Sequence, residues 1–233
     1  MVLVPGFSQP ASAWDDVLAA LHPSIDASAI DVPDDRDFAA TAEAIGTLGG
    51  AGIYVGYSMG GRLALRLALD RPELVAGLVL VSASPGISDP TARAARAEAD
   101  ARLASEVERA GVAAFLERWL AQPLFAGLTG DQAGIAARVA GTSVERLVHQ
   151  LTVLGQGTMP SAWDRLAELS MPTRLVTGAL DAKYGEIASE MRVRSPRLEH
   201  VILPGGHAVL LEQPFALADC LTVFVHEIDR PTE

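Results

Sequence analysis

The segment that most constrains the fold of this chain is Gly56-Tyr57-Ser58-Met59-Gly60-Gly61, which contains the pattern G-x-S-x-G. An apolar run over residues 53–55 precedes it, and apolar residues at helical spacing follow it over residues 63–68. A serine at such a sharp turn from a strand into a helix has an exposed hydroxyl, and the glycines allow neighbouring backbones to approach closely. The segment therefore predicts that Ser58 is catalytic and that the N–H of Met59 stabilises developing negative charge.

Short apolar runs alternate with amphipathic segments along most of the chain. Strands are predicted near residues 1–5, 28–32, 52–57, 76–82, 173–178 and 199–203. Helices are predicted near residues 12–21, 37–48, 59–70, 184–193 and 213–228. This alternation is typical of an α/β fold, here a mostly parallel sheet of about six strands flanked by helices.

The stretch from residue 88 to residue 165 interrupts this alternation. It contains no convincing strand, and its apolar residues recur at helical spacing. Four residues divide it into several short predicted helices, namely Gly111, Pro123, Gly127 and Gly130. We therefore predict a core of residues 1–87 and 166–233, with a helical cap inserted as residues 88–165.

Composition excludes several classes of protein. With 49% hydrophobic residues, 233 residues can bury one large core. A net charge of −11 argues against nucleic-acid binding through a basic surface. No apolar run reaches the length of about 20 residues that a membrane-spanning helix needs, and no secretory signal is visible. Oligomeric state is left open by the sequence.

The number and spacing of the cysteines and histidines indicate the cellular compartment and whether a metal site is present. Cys220 is the single cysteine of the sequence, so no internal disulfide can form, and a reducing cytoplasm is the expected location. No cysteine and histidine cluster has the spacing of a metal site. We therefore expect neither a metal nor another cofactor.

A catalytic serine needs a base that takes its proton and an acid that orients the base. Where the serine lies at such a strand-to-helix turn, the acid and then the histidine follow it along the chain. Two loops that follow predicted strands carry suitable residues, Asp181 after Gly178-Ala179-Leu180 and His207 after Gly205-Gly206. The less specific alternatives are a helix N-cap role for Asp181 and a solvated loop position for His207. Order and loop position together predict the triad Ser58, Asp181 and His207.

The loop after the first strand supplies the second donor of an oxyanion hole in this arrangement. That loop is Pro5-Gly6-Phe7-Ser8, so the N–H of Phe7 is predicted to act beside that of Met59. A simple turn at Pro5-Gly6 is the alternative.

More specific patterns lie outside the triad. An arginine directly follows the glycine-rich turn, and the predicted cap contains Trp-x-x-Gln-Pro-x-Phe. The stretches concerned are Gly56–Leu65, Ser84-Pro85-Gly86 with Arg93 and Arg96, Trp119–Phe125, Gly178–Tyr184 and Gly206-His207. Over essentially its full length the chain resembles the α/β-hydrolase superfamily. Within it, the chain resembles the 2-succinyl-6-hydroxy-2,4-cyclohexadiene-1-carboxylate synthases of menaquinone biosynthesis.

The resemblance implies a lyase with the architecture of a hydrolase. Enzymes of this family remove a proton from a small anionic substrate and expel pyruvate, so the triad would act as a base. Positions that match substrate-binding residues of the family are Tyr57, Arg62, Arg96 and Trp119, with Arg93 and Phe125 beside them. An acidic protein that binds a carboxylated substrate needs such a local cationic pocket, although solvated surface arginines are the alternative.

The chain departs from the family at several positions. Pro5-Gly6 replaces the usual His-Gly, and Leu210 stands where a second histidine is common. A further cap arginine has two candidates, Arg138 and Arg146. The alternatives are a carboxylesterase or carbon–carbon bond hydrolase with Ser58 as nucleophile, and a non-catalytic ligand receptor that retains the pocket.

Overall fold

A six-stranded sheet forms the centre of the molecule, which the computed structural model describes over residues 1–229. The strands are β1 Val2–Val4, β2 Ser28–Ala29, β3 Gly52–Tyr57, β4 Val75–Val81, β5 Thr173–Gly178 and β6 Glu199–Leu203. They lie in the order β2-β1-β3-β4-β5-β6, and every neighbouring pair is parallel. The predicted parallel sheet of about six strands is confirmed.

Strand β2 is shorter than predicted. The N–H of Ile30 still donates to the carbonyl of Leu3 at 3.1 Å, but the carboxylate of Asp31 accepts from the N–H of Ala11 at 2.8 Å. Pro33, which follows shortly after, has no N–H to donate to a neighbouring strand. The chain therefore leaves the sheet edge before residue 32.

Helices cover both faces of the sheet. The α-helices within residues 1–229 are α1 Asp15–Ala20, α2 Phe38–Gly49, α3 Met59–Asp70, α4 Pro90–Leu120, α5 Gly130–Ala133, α6 Ile135–Ala140, α7 Val144–Thr152, α8 Ala182–Arg194, α9 Val209–Glu212 and α10 Pro214–Ile228. Helices α2, α3 and α8 share one hydrophobic core with the sheet, whereas α1 and α10 share another. A parallel sheet needs such cover because both of its faces are apolar.

The segment between β4 and β5 consists of helices and short 3-10 turns, and helices α4 to α7 belong to it. Helix α4 consists of two helical stretches that meet in a kink at Gly111, whose backbone has the non-helical angles φ 77° and ψ 169°. The glycine therefore separates two helical stretches, as its helix-breaking signal predicts. Side chains of α4 and α7 form a small core of their own around Phe115 and Leu147. The division into core and cap at residues 88 and 165 stays a prediction.

Residues 1–229 contain no helix that combines the length and apolar character needed to cross a membrane.

Candidate active site

Ser58 stands at the turn from β3 into α3. Its backbone has φ 50° and ψ −105°, a conformation that residues with a side chain rarely adopt. The turn leaves no room for side chains: a Cβ added at Gly60 would lie 2.3 Å from the carbonyl oxygen of Val4. A Cβ at Gly56 would lie 2.5 Å from the carbonyl oxygen of Gly60. The glycine pattern therefore allows the backbone contact that presents the serine.

Ser58, His207 and Asp181 form a continuous chain of side chains. The Nε2 of His207 lies 3.3 Å from the Oγ of Ser58, and its Nδ1 lies 2.7 Å from the Oδ2 of Asp181. His207 and Asp181 are almost fully buried. Asp181 also accepts from the N–H of Tyr184, so it caps α8 as well. The N-cap alternative thus coexists with the contact to the imidazole.

Aromatic rings enclose the imidazole of His207. The ring centroid of Tyr184 lies 4.5 Å from that of His207, and those of Tyr57 and Phe125 lie 5.5 and 6.0 Å away. Burial raises the pKa of the phenols of Tyr57 and Tyr184. Both phenols are therefore neutral at physiological pH, and the rings limit access of water to the histidine.

Two backbone N–H groups lie at the edge of the same space. Met59 is the first residue of α3, so its N–H has no acceptor within the helix. Phe7 lies in the loop after β1, where Gly6 donates to Gln9 Oε1 at 2.9 Å and Ser8 donates to Gln150 Oε1 at 2.9 Å. These bonds fix the loop. Phe7 and Met59 line the same cavity as Ser58, and their role as an oxyanion hole stays a prediction.

A cavity of about 450 Å³ opens onto Ser58 and His207, within the usual size range of small-molecule sites. Side chains of the core and of the segment between β4 and β5 line it together. Among the predicted site residues, those that line it are Phe7, Tyr57, Ser58, Met59, Arg62, Arg96, Trp119, Phe125 and His207. The structure thus brings most of the predicted site into one space.

Arg62 contributes a buried positive charge to the cavity. Its Nη1 donates to the carbonyl oxygen of Leu154 at 2.8 Å, and Met159 Sδ lies 3.6 Å away. No carboxylate within residues 1–229 forms an ion pair with it. Burial lowers the pKa of Arg62 to about 10, which still leaves the guanidinium charged at neutral pH. A buried charge without a counter-ion favours an anionic ligand.

The two arginines of α4 have different surroundings. Arg96 lines the cavity, donating from Nε to Asp100 Oδ1 at 2.8 Å and from Nη1 to Gln156 Oε1 at 3.2 Å. Arg93 lies outside the cavity lining, and its Nη1 lies 3.5 Å from the carbonyl oxygen of Ile87. Arg93 belongs to the first turn of α4, so its side chain folds back toward the loop before the helix.

Of the two candidates for a further arginine, only Arg138 lines the cavity within the described part of the chain. Arg138 is buried and donates to Ser8 Oγ at 2.8 Å and to the carbonyl oxygen of Phe7 at 3.3 Å. Burial lowers its pKa. Arg146 instead donates to the carbonyl oxygen of Val32 and pairs with Asp34 at 3.5 Å.

Several cavity residues have no clear signal in the sequence. Lys183 and Tyr184 belong to the family-like stretch Gly178–Tyr184 and to no other motif, and no motif singles out Gln150 and Gln156, two of the three glutamines that line the cavity. A glutamine in a helical segment is usually solvated, so only the packing of the chain identifies these two. Residues 1–229 contain no group of three or more possible metal-binding side chains.

Comparison with known proteins gives consistent results. The sequence matches the model of the alpha/beta hydrolase family over residues 1–220. It is 34% identical over 238 residues to the 2-succinyl-6-hydroxy-2,4-cyclohexadiene-1-carboxylate synthase of Enterobacter sp. (strain 638), covering 95% of this chain and 89% of that protein. A Bacillus subtilis (strain 168) protein provisionally named for the same activity is 35% identical over 179 residues, or 75% of this chain.

That alignment spans 65% of the Bacillus subtilis protein, just under two thirds of its length. Among solved structures, MenH from S. aureus superimposes with a TM-score of 0.91 at 25% sequence identity, covering 99% of this chain and 95% of that one. The matched family covers nearly the whole sequence and the fold agrees over its full length. The chain therefore belongs to the alpha/beta hydrolase family.

Proposed function

We propose that this protein is a lyase that eliminates pyruvate from 2-succinyl-5-enolpyruvyl-6-hydroxy-3-cyclohexene-1-carboxylate. The product is 2-succinyl-6-hydroxy-2,4-cyclohexadiene-1-carboxylate, the compound named in its relatives. The observation that carries the proposal is the buried guanidinium of Arg62, which has no carboxylate partner and lines the same cavity as Ser58 and His207. A hydrolase of neutral esters has no need for such a group.

The first step of the proposed reaction is removal of the proton at ring carbon 2. This carbon bears the succinyl group, whose ketone makes the proton acidic. Ser58 takes the proton as its own hydroxyl proton passes to His207, 3.3 Å away. Asp181 holds the imidazole and stabilises its positive charge through the 2.7 Å contact to Nδ1. The triad thus acts as a general base, without an acyl intermediate.

The electron pair released at carbon 2 then moves around the ring. It forms the double bond between carbons 2 and 3, the former double bond shifts to carbons 4 and 5, and the bond from carbon 5 to the enolpyruvyl oxygen breaks. The released enolpyruvate takes up one proton and becomes pyruvate. Negative charge on the succinyl ketone oxygen during this shift is stabilised by the N–H groups of Phe7 and Met59.

The carboxylates of the substrate provide its binding energy in this proposal. Arg62, Arg96 and Arg138 contribute three guanidinium groups to the cavity, of which Arg96 is already paired with Asp100. A charge-assisted hydrogen bond to each carboxylate contributes about 1.5–3 kcal/mol. Trp119 and Phe125 form an aromatic wall for the ring of the substrate, with their ring centroids 6.2 Å apart. The reaction needs no cofactor and is proposed to take place in the cytoplasm.

The direct test is release of pyruvate from the enolpyruvyl substrate by the purified protein. Pyruvate is measured through lactate dehydrogenase and NADH absorbance, and the diene product through its own absorbance. Both signals are expected to appear in equal amounts and to be lost in Ser58→Ala. A folded sample that releases no pyruvate would reject the proposal.

The backbone of Ser58 favours a second candidate, a serine hydrolase. The strained φ of 50° and the adjacent N–H groups of Phe7 and Met59 are also the arrangement of a nucleophile that forms an acyl-enzyme. A carboxylesterase or carbon–carbon bond hydrolase would show a burst with an activated ester and an acylated Ser58 by mass spectrometry. Pyruvate release without such an acyl-enzyme supports the lyase instead.

A further inference from the structure

The side chain of Glu212 holds the loop that carries His207 from both sides. Its Oε2 accepts a hydrogen bond from the N–H of Gly206 at 2.7 Å, and its Oε1 accepts one from the N–H of Ala208 at 3.2 Å. These two residues immediately precede and follow the histidine. The carboxylate is therefore bonded to the backbone N–H groups of the two residues that flank His207.

The same carboxylate is in direct contact with the segment between β4 and β5. A Cβ added at Gly127 would lie 2.4 Å from Oε2 of Glu212, so the backbone of Gly127 packs against that oxygen. Nearby, Nε2 of Gln132 donates to the carbonyl oxygen of Leu211 at 3.2 Å. One oxygen atom thus contacts both the histidine loop and the helical segment above it.

The pattern of donors requires a carboxylate at this position. Two N–H groups need two acceptor oxygens, and an ionised carboxylate offers two with no proton of its own. A glutamine has one oxygen and one NH₂ group, so one of the two N–H groups would face another donor. The geometry therefore distinguishes glutamate from its nearest isostere.

We propose that Glu212 is a positioning residue for His207, and that Gly127 sets the position of its carboxylate from the cap side. The role is independent of the substrate, because Glu212 acts through the backbone on either side of the histidine. A shift of the imidazole by a fraction of an ångström changes its distance to Ser58, and such misplacement lowers rates steeply.

The first experiment compares Glu212→Gln with Asp219→Asn, which removes one charge from an exposed carboxylate of α10. The rate at which a fluorophosphonate modifies Ser58 is followed by intact-mass spectrometry, since this reaction needs a correctly placed His207 and no natural substrate. Glu212→Gln is expected to lower this rate about 10- to 100-fold. In the pyruvate assay, the kcat of Glu212→Gln is expected to fall by the same ratio, while its KM changes less than about threefold. The control Asp219→Asn is expected to match the wild type in both assays.

The second experiment displaces the carboxylate of Glu212 by a substitution in the cap. Gly127→Ala leaves Glu212 in place but forces its flexible side chain away from Gly206. It is expected to lower the Ser58 modification rate, and to have no further effect in a Glu212→Ala background, because coupled residues are not additive. Melting temperatures show that the rates refer to folded protein.

Two results would overturn the proposal. One is a wild-type rate of Ser58 modification in Glu212→Gln, and the other is a double variant in which the rate losses of Gly127→Ala and Glu212→Ala simply add. A lower melting temperature with an unchanged rate per folded molecule would overturn it as well, since the role would then be structural. The modification of Ser58 does not depend on the proposed lyase reaction. Absence of pyruvate release with normal Ser58 modification would reject the lyase reaction alone.

Discussion

The guanidinium of Arg62 donates to the carbonyl oxygen of Leu154 at 2.8 Å, and both groups are buried. This bond connects α3, which begins at the candidate nucleophile, to the segment that follows α7. The acceptor is a neutral carbonyl, and no carboxylate within residues 1–229 forms an ion pair with Arg62, although that of Asp100 attracts it from a longer distance. The bond thus orients the guanidinium, while its charge remains available to a ligand in the cavity.

Replacing Arg62 by glutamine tests whether its positive charge binds a carboxylate of the substrate. Glutamine can still donate to the carbonyl of Leu154, so the main change is loss of the charge. We expect kcat/KM for pyruvate release to fall about 10- to 100-fold, which corresponds to about 1.5–3 kcal/mol. Arg66→Gln is the matched control, one turn further along α3, where Arg66 pairs with Asp70 at the surface. Equal losses in the two variants would contradict a specific role for Arg62.

The pH dependence of substrate binding follows from the same residue. Burial lowers the pKa of Arg62 from its ordinary value to about 10. Between these values the unfolded chain binds more protons at this position, so the contribution of Arg62 to folding stability rises with pH. Binding of a carboxylate needs the charged form, so KM should rise about tenfold per pH unit above pH 10. Initial rates at several pH values check this, and Arg62→Gln should lack the rise.

Much of the fold, and the contact of Ser58 and Asp181 with His207, could be predicted from sequence because the relevant signals are local. Strands buried on both faces are continuous apolar runs, so the predicted bounds of β3, β4 and β5 agree with the structure to within about one residue. Asp181 and His207 follow strands directly, and the carboxyl ends of parallel strands meet at one edge of the sheet. Chain order then selected them from the other acids and histidines.

The cap was less predictable because its geometry depends on packing. The helical spacing of Arg93 and Arg96 indicates one helix face, but a face is wide and only Arg96 lines the cavity. Likewise nothing in the local sequence distinguishes Arg138 from Arg146. Contacts between distant segments decide each of these cases.

Arg96 and Arg93 provide a test of which cap arginine acts on the substrate. Arg96→Gln is expected to raise KM about 10-fold through loss of a charged contact, whereas Arg93→Gln should leave the kinetics unchanged. Arg96→Gln also leaves the buried carboxylate of Asp100 without its partner, which lowers the melting temperature. Adding Asp100→Asn should restore part of that stability without restoring KM. A kinetic loss in Arg93→Gln would show that the cavity closes further around the substrate.

Asp181→Asn tests the contact between the acid and Nδ1 of His207. The amide offers an N–H where the carboxylate accepted one, so the imidazole adopts the wrong tautomer and Ser58 loses its base. We expect kcat to fall about 10²- to 10⁴-fold, as for other triads of this kind. Asp31→Asn is the control, since Asp31 also follows a strand but bonds only to the N–H of Ala11 through an oxygen the amide retains. Initial rates of pyruvate release separate the two.

Gly60→Ala tests the close backbone contact that presents Ser58. The added Cβ would lie 2.3 Å from the carbonyl oxygen of Val4 and 2.5 Å from that of Pro5. Both are main-chain atoms, one at the end of β1 and one at the start of the loop that follows it, so relief requires a shift of that backbone together with α3. We expect a loss of about 3 kcal/mol in the free energy of unfolding, measured by urea denaturation.

Gly185→Ala in α8 is the control, because its added Cβ meets no atom within 4 Å. This substitution should stabilise the protein by up to about 1 kcal/mol. A stable and fully active Gly60→Ala variant would mean that Ser58 does not depend on this contact, because any shift of the loop also moves the N–H of Phe7 away from the serine.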